Sequence, residues 1–375
     1  MNESSQPSQS APTDSSLAHY VLLGRSGLRV SRLCLGAMTF GDATKMGPAI
    51  ARADWGSKAA ESRRIFDCFL AAGGNFIDTA DVYTGGDSEE LLGKFIAASN
   101  SRDRVVLASK FSINTDPGNP NAAGNGRKCI YQALEKSLKR LQTDYLDLYW
   151  LHFWDMLTPI EELMETMEAL IKAGKVRYFG LSDVPAWYFA RAQTLAELRG
   201  MPRVIALQLQ YSLTERSIER EHVPAALELG AGITPWSPLA AGFLTGKYSR
   251  ESIADEKTEG RLSKQSWYQF GERDWRILDT LQEVAKATGV PPAQIALNWV
   301  CNRPGVASTI IGASSQAQLE SNMAALDVQL PAEWSAKLEE VSRPHPTFPY
   351  TMFAPPAQDM LTRAKVAKEP PNYRP

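Results

Sequence analysis

Short apolar runs alternate along this chain with longer stretches whose apolar residues recur every three to four positions. The runs lie at 33–35, 75–78, 105–109, 146–151, 176–181, 204–209, 232–234 and 308–311. Between them, Ile65, Phe66, Phe69 and Leu70, then Leu91, Leu92, Phe95 and Ile96, then Ile130, Leu134, Leu138 and Leu141 fall at helical spacing. A further helix, opened by Thr158-Pro159, carries Ile160, Leu163, Met164, Met167, Leu170 and Ile171 on one face. Strand-helix alternation without a recognisable linker predicts a closed (β/α)8 TIM barrel, since closure leaves no edge strand exposed. The competing reading is an open doubly wound sheet, but no Gly-x-Gly-x-x-Gly follows the first strand.

The flanks break this rhythm. Tyr20-Val21-Leu22-Leu23, a Gly-containing turn and Leu28-Arg29-Val30 predict an N-terminal β-hairpin. Residues 1–18 are Ser/Gln/Pro-rich and read as a disordered leader, followed by one barrel domain over 19–342 and a Pro-rich tail over 343–375. Extra helices are expected after the last strand. The excursion at 239–273, after the seventh strand, is too long for a passive connection and reads as a lid or binding loop. In the tail, Phe348, Tyr350, Met352 and Phe353 have the apolar character either to reach over the barrel mouth or to pack outside it.

Composition narrows the function classes. The 375 residues are 44% hydrophobic and 22% charged with a formal net charge of −2, which supports a sizeable core and gives no overall pull toward nucleic acid or anionic membrane. No apolar run is long enough to cross a membrane. Cys34, Cys68, Cys129 and Cys301 are scattered, so neither a disulfide framework nor a metal site is expected and a cytoplasmic location is the default. A homo-oligomer is left open. His19, His222 and His345 are expected to be solvated.

The chemistry lies at the strand ends. A polar or small residue closes nearly every strand: Gly36, Asp78, Lys110, His152, Ser182, Gln208, Trp236 and Gly312. Neighbouring strands lie roughly 4.8 Å apart, so Asp78, Lys110 and His152 converge on one mouth with Tyr83 leaning in from the loop after the second strand. That is an acid/base site at the face where barrel enzymes place their chemistry.

Here the sequence resembles the aldo-keto reductases over about residues 20–342. The resemblance runs through Gly74-Asn75-Phe76-Ile77-Asp78-Thr79-Ala80-Asp81-Val82-Tyr83, Leu138-Lys139-Arg140-Leu141, Tyr145-Leu146-Asp147-Leu148 with His152, and Gly174-Lys175-Val176-Arg177. Gly180-Leu181-Ser182, Trp236-Ser237-Pro238-Leu239 and Ile310-Ile311-Gly312-Ala313-Ser314 extend it. Within the family it looks most like the aryl-alcohol-dehydrogenase-like branch, which includes potassium-channel β subunits. The resemblance implies a tetrad of Asp78, Tyr83, Lys110 and His152, with Tyr83 as general acid/base. A free tyrosine has a pKa near 10. Lys110 is therefore expected to lower it, Asp78 to keep Lys110 charged, and His152 to orient the substrate oxygen.

The resemblance also implies hydride transfer to or from an aldehyde, ketone or alcohol with NADP(H) as carrier. By position, Gly36 and Met38 would line the nicotinamide region. Ser182, Asp183 and Gln208 would bond its carboxamide, and Trp236 would stack on the ring. Ser237, Pro238, Leu239 and Gly242 would follow the pyrophosphate. Lys247, Arg261, Gly312, Ser314, Gln318 and Asn322 would hold the adenosine end and 2′-phosphate. Two departures stand out: the family often has Asn where Asp183 stands, and an acidic residue where Ser321 stands. Phe40, Trp55, Phe153 and Trp154, with Trp236, predict an aromatic pocket suited to aromatic or bulky apolar substrates. Two other classes compete. A Schiff-base lyase would need a depressed lysine pKa, which Asp78 opposes, and a cofactor-binding regulatory module resembling the channel β subunits would keep the same residues.

Overall fold

The computed structural model describes residues 16–45, 56–251, 262, 269–353 and 356–362. Two short strands, β1 (Tyr20–Leu22) and β2 (Arg29–Ser31), form the expected antiparallel hairpin. The barrel strands follow: β3 (Leu33–Gly36), β4 (Phe76–Asp78), β5 (Val106–Phe111), β6 (Leu146–Leu151), β7 (Val176–Ser182), β8 (Val204–Gln210), β9 (Gly232–Trp236) and β10 (Thr309–Ile311). All pair in parallel in the order β10-β3-β4-β5-β6-β7-β8-β9. The ring closes between β9 and β10, where Ile233 accepts from the Ala307 amide at 2.9 Å and donates to the Gly305 carbonyl at 2.8 Å. This is a (β/α)8 barrel.

Period-two alternation divides each strand between two cores. Inward-facing Cys34, Phe76, Val106, Ala108, Leu148, Trp150 and Ala206 fill the interior, and Leu23 and Val30 of the hairpin segment join them at 0% exposure, plugging the barrel at the strands' N-terminal end. Outward-facing Leu35, Ile77, Leu107, Tyr149, Leu181 and Leu207 meet the helices. Those helices are α1 (Ala59–Ala71), α2 (Asp87–Ser99), α3 (Arg127–Leu141), α4 (Ile160–Lys172), α5 (Ala186–Arg199), α6 (His222–Leu229), α7 (Glu272–Thr288) and α8 (Pro292–Cys301). The stripe expected on α4 is buried at Ile160, Leu163, Met164, Met167 and Leu170. Thr158 does not cap that helix: Pro159 occupies the cap position, and the Thr158 hydroxyl donates to Asp155 Oδ2 at 2.7 Å.

The extra helices α9 (Gln316–Met323) and α10 (Ala332–Ser342) come after β10. Arg216, 3% exposed, fastens α10 to the loop after β8 through Glu219 at 2.8 Å, Glu339 at 2.5 Å and Ser342 Oγ at 2.7 Å. In the tail, Arg220 donates to the His345 carbonyl at 2.7 Å and the Tyr350 hydroxyl donates to Glu221, while Phe348, Met352 and Phe353 remain exposed. Leu17, in the expected leader, is buried.

Interior packing fixes one glycine. Gly180 on β7 pairs with Trp150 on β6, and a Cβ at Gly180 would sit 2.3 Å from Trp150 Cζ3 and 2.9 Å from the Ala206 carbonyl oxygen. The indole fills the space that a side chain would take. Gly180→Ala is therefore expected to cost about 1–3 kcal/mol as an overpacked core, read as a lower urea midpoint with an unchanged slope.

Candidate active site

Each barrel strand presents its inward parity to the mouth, so the strand-end residues expected from the sequence meet in one ring. Asp78 ends β4, Lys110 lies near the end of β5, and His152 follows β6. The Lys110 ammonium is completely buried and donates to Asp78 Oδ2, to the Thr79 carbonyl at 2.8 Å and to the Tyr83 hydroxyl at 3.2 Å. Gln208 Nε2 donates to the other Asp78 oxygen at 3.2 Å. Tyr83 comes from a short helical turn, Tyr83–Gly86, in which Thr84 takes φ +49°. Its ring meets His152 edge-on, with centroids 5.8 Å apart. The four side chains form one contiguous group.

Their electrostatics correct one expectation. Burial alone would lower the Lys110 pKa, but Asp78 and Tyr83 outweigh it and hold the ammonium above its ordinary value. Lys110 in turn pulls the Tyr83 phenol downward, yet the net direction is upward, because burial is the larger effect and the Asp78 charge adds to it. The Tyr83 phenol is therefore held in its protonated form. Burial, and then Lys110, hold His152 well below the usual imidazole value, so its ring is neutral. Its Nδ1 is buried without a partner among the described residues.

The candidate cofactor residues lie along the same face. Ser182 and Gln208 are buried polar side chains at paired positions of β7 and β8. Asp183 is partly buried with φ +47°. The Trp236 indole Nε1 donates to Asp183 Oδ1 at 3.0 Å, and Ser182 Oγ donates to Oδ2 at 3.4 Å. Gly36 is buried and Met38 partly exposed after β3. Beyond β9, Pro238 is buried and Leu239 partly so, and left-handed backbone recurs at Ser237, Ala240, Ala241 and Gly242. Such conformations cost energy and cluster at functional loops. Lys247 is exposed and folds back toward Gly242. Gln318 Oε1 accepts from both the amide and the hydroxyl of Ser314 at 2.9 Å, and Asn322 donates to the Gly312 carbonyl at 3.2 Å. Arg261 lies outside the described residues.

The expected aromatic pocket is only partly assembled. Phe153 stacks on His152 with centroids 4.8 Å apart and is 46% exposed, so it stands at the mouth. Trp154 packs edge-on against Trp187 at 5.4 Å. Phe40 does not line the mouth: it is fully buried in the outer core, where its ring meets Phe95. The apolar layer under α2 competes for that ring and takes it. Trp55 lies outside the described residues. His222 is not simply solvated, since its ring Nε2 bonds the Val184 carbonyl at 2.8 Å.

Two features escaped the sequence reading. Trp187, 54% exposed near the start of α5, extends the aromatic rim, and its position just beyond a strand end was the available signal. The other is a second carboxylate layer behind β5. Glu89 of α2 is fully buried, accepting from Ser109 Oγ at 2.5 Å and from Arg140 Nε at 2.6 Å. Asp81, two residues before Tyr83, is 5% exposed with Oδ1 unpartnered, and burial followed by the Glu89 charge pushes its carboxyl up to about 8. Only folding shows that the Arg140 guanidinium pairs with Glu89 and reaches Asp81 through its charge alone. Among the described residues no His/Cys/Asp/Glu cluster is arranged to hold a metal, and no helix is long and apolar enough to cross a membrane.

Comparison with known proteins is consistent with this arrangement. The sequence model of the Aldo/keto reductase family matches residues 32–343. An aryl-alcohol dehydrogenase of Pestalotiopsis microspora is 34% identical over 86% of this chain and 81% of its own length. A norsolorinic acid reductase of Emericella nidulans is 35% identical over 92% of this chain and 88% of its own. An aryl-alcohol dehydrogenase [NADP(+)] of Phanerodontia chrysosporium is 32% identical, covering 89% and 88% respectively.

The buried acid pair makes stability depend on pH. Because the Asp81 carboxyl is raised to about 8 in the fold, against about 4 when unfolded, its contribution is fully present below about pH 4 and is lost as pH rises through 8. Asp81→Asn is expected to raise the urea midpoint at pH 8.5 relative to wild type. The difference between the two midpoints should shrink steadily as pH falls toward 4.

Proposed function

The chain belongs to the aldo/keto reductase family and is an oxidoreductase acting between carbonyl and alcohol; on that premise we propose that it is NADP(H)-dependent, takes aromatic or bulky apolar substrates, and uses Tyr83 as its proton donor and acceptor. The observation that carries this reading is the Lys110 ammonium held between Asp78 and the Tyr83 hydroxyl at 3.2 Å, with the neutral His152 ring alongside.

A bound nicotinamide dinucleotide supplies the hydride for reduction, or accepts it from the alcohol. The chain's own residues handle the proton and the geometry. In reduction the carbonyl oxygen gains negative charge as its carbon accepts hydride, and the Tyr83 hydroxyl gives that oxygen its proton. Lys110 steadies the phenolate left behind, while Asp78 holds Lys110 charged and directed. His152 donates from its neutral ring to the same oxygen and sets its direction. For oxidation the proton returns to Tyr83. The phenol's raised pKa suits the reductive half, in which it starts protonated.

The candidate binding residues fit such a carrier chemically. Ser182 and Gln208 offer buried polar groups of the kind a carboxamide needs, and the half-buried Trp236 offers a flat face. Lys247 brings a cation to the strained loop at Gly242, and with Arg261 and Ser314 it is proposed to hold the 2′-phosphate. One relative's name includes NADP(+), and two name aryl alcohols. The exposed aromatic rim of Phe153 and Trp187 supports flat apolar substrates, whose binding energy comes mainly from buried area. We also propose one barrel domain at 19–342 between a leader and a tail, and a cytoplasmic setting that suits four free thiols.

A panel of carbonyls and alcohols with both nucleotides, followed by nicotinamide absorbance, tests the activity. Aromatic aldehydes should exceed short sugars in kcat/KM, and turnover of neither class would end the proposal. Tyr83→Phe should lose about 10²–10⁴-fold in kcat while nucleotide binding by calorimetry stays near wild type. Lys247→Ala should weaken NADPH about tenfold, the loss of one charge-assisted bond, and leave NADH nearly unchanged. Equal weakening of both nucleotides would mean that Lys247 does not read the phosphate.

A further inference from the structure

Among the described residues, the strand ends at the mouth of the barrel carry a negative charge, that of Asp183, which the tetrad does not balance. Lys110 and Asp78 cancel as an ion pair, and His152 and Tyr83 are neutral for the reasons given above. Asp183 remains, a carboxylate with left-handed backbone directly after β7. Its place is firmly built. The backbone amide donates to the Gln208 carbonyl at 3.1 Å, the Trp236 indole holds Oδ1 at 3.0 Å, and Ser182 Oγ approaches Oδ2 at 3.4 Å. Its charge is felt at both Tyr83 and Lys110, so the carboxylate belongs electrostatically to the reacting centre and not to bulk solvent. Asn tolerates the same left-handed backbone, and its amide oxygen accepts the same indole bond. What distinguishes Asp183 from Asn at this position is therefore charge, more than shape.

We propose that the Asp183 carboxylate makes this site prefer the oxidised nicotinamide to the reduced one, which favours hydride donation from the bound carrier. The inference rests on the nicotinamide reading given above and adds a direction to it. An oxidised nicotinamide ring carries one positive charge; addition of a hydride, two electrons and a proton, leaves it neutral. A carboxylate fixed beside the ring attracts the first form and gives the second almost nothing. In a partly desolvated site with an effective dielectric of about 20, an opposite charge at close range changes affinity by at least about tenfold. Hydrogen bonds to the carboxamide, which both forms possess, supply no such discrimination.

The preference is also sensitive to acid. Burial pushes the Asp183 carboxyl up to about 6 against the opposing pull of Trp236, Ser182 and Lys110. Below that pH the charge is titrated away. The titratable groups around it are Tyr83 from the loop after β4, Asp78 of β4 and Lys110 of β5, with His222 bonded to the adjacent Val184 carbonyl. Trp236 and Gln208 contribute no titration. Comparison with a charge-neutral variant separates Asp183 from all of these.

The test is calorimetric binding of NADP⁺ and NADPH, each to the full-length wild type and to Asp183→Asn, at pH 7.5. The ratio Kd(NADP⁺)/Kd(NADPH) should rise about tenfold in the variant, whatever common change the altered side chain makes to carboxamide binding. A pH series from 5.5 to 8 on the wild type should show the same ratio climbing as pH falls through about 6, and the variant should be flat. The ratio cancels titration of the 2′-phosphate, which both nucleotides carry. An unchanged ratio, or equal weakening of both nucleotides, overturns the charge argument while leaving the cofactor reading intact. A wild type that binds neither nucleotide overturns both.

Discussion

The ion pair between Lys110 and Asp78 is the constraint on which the mouth of the barrel depends. An ammonium with no solvent exposure is tolerable only if its charge and its hydrogens are met, and here a carboxylate, a backbone carbonyl and a phenol meet them. Removing one partner from such a buried pair leaves the other uncompensated, which typically costs about 3–5 kcal/mol. Asp78 is held in turn by Gln208 from across the barrel. The pair therefore ties together three strands and the turn that carries Tyr83.

That arrangement decides the chemistry as much as the packing. Burial keeps the phenol protonated, and the pull of the Lys110 charge on Tyr83 is partly offset by Asp78 and supplemented by the bond at 3.2 Å. The pairing of Lys110 with Asp78 leaves the Asp183 charge without an ion-pair partner among the described residues. A mouth built with Asn at that position would keep the Trp236 indole bond and lose the charge. Strain is concentrated nearby, at Thr84, Asp183, Ser237, Ala240 and Ala241, all with left-handed backbone. The rigid barrel below, plugged by Leu23 and Val30, absorbs that cost.

The carboxylate layer behind β5 shows how far support extends beyond the groups that face the mouth. Asp81, Glu89 and Arg140 come from the Tyr83 loop, α2 and α3, and the Glu89–Arg140 pair fastens the two helices together behind that loop. Glu89 also reaches Ser109, the residue just before Lys110, on the opposite face of β5. The two faces of one strand thus serve the site, one through Lys110 and the other through the network that fixes its neighbour.

The sequence by itself determined the barrel and the polar strand-end residues that meet at its mouth. Strand periodicity is local, and with a period of two the inward parity of each run could be read off directly, which placed Asp78, Lys110 and His152 together before any coordinate was known. It did not determine environment. Phe40 was expected at the mouth and lies in the outer core, and Tyr83 was expected to be lowered by Lys110 and is raised by burial. The pairing of Trp236 with Asp183 spans 53 positions, and that of Arg140 with Glu89 spans 51. Local pattern says which way a side chain points from its own strand or helix. How much water it loses and which charge it meets are set by distant segments, and those only the tertiary structure decided.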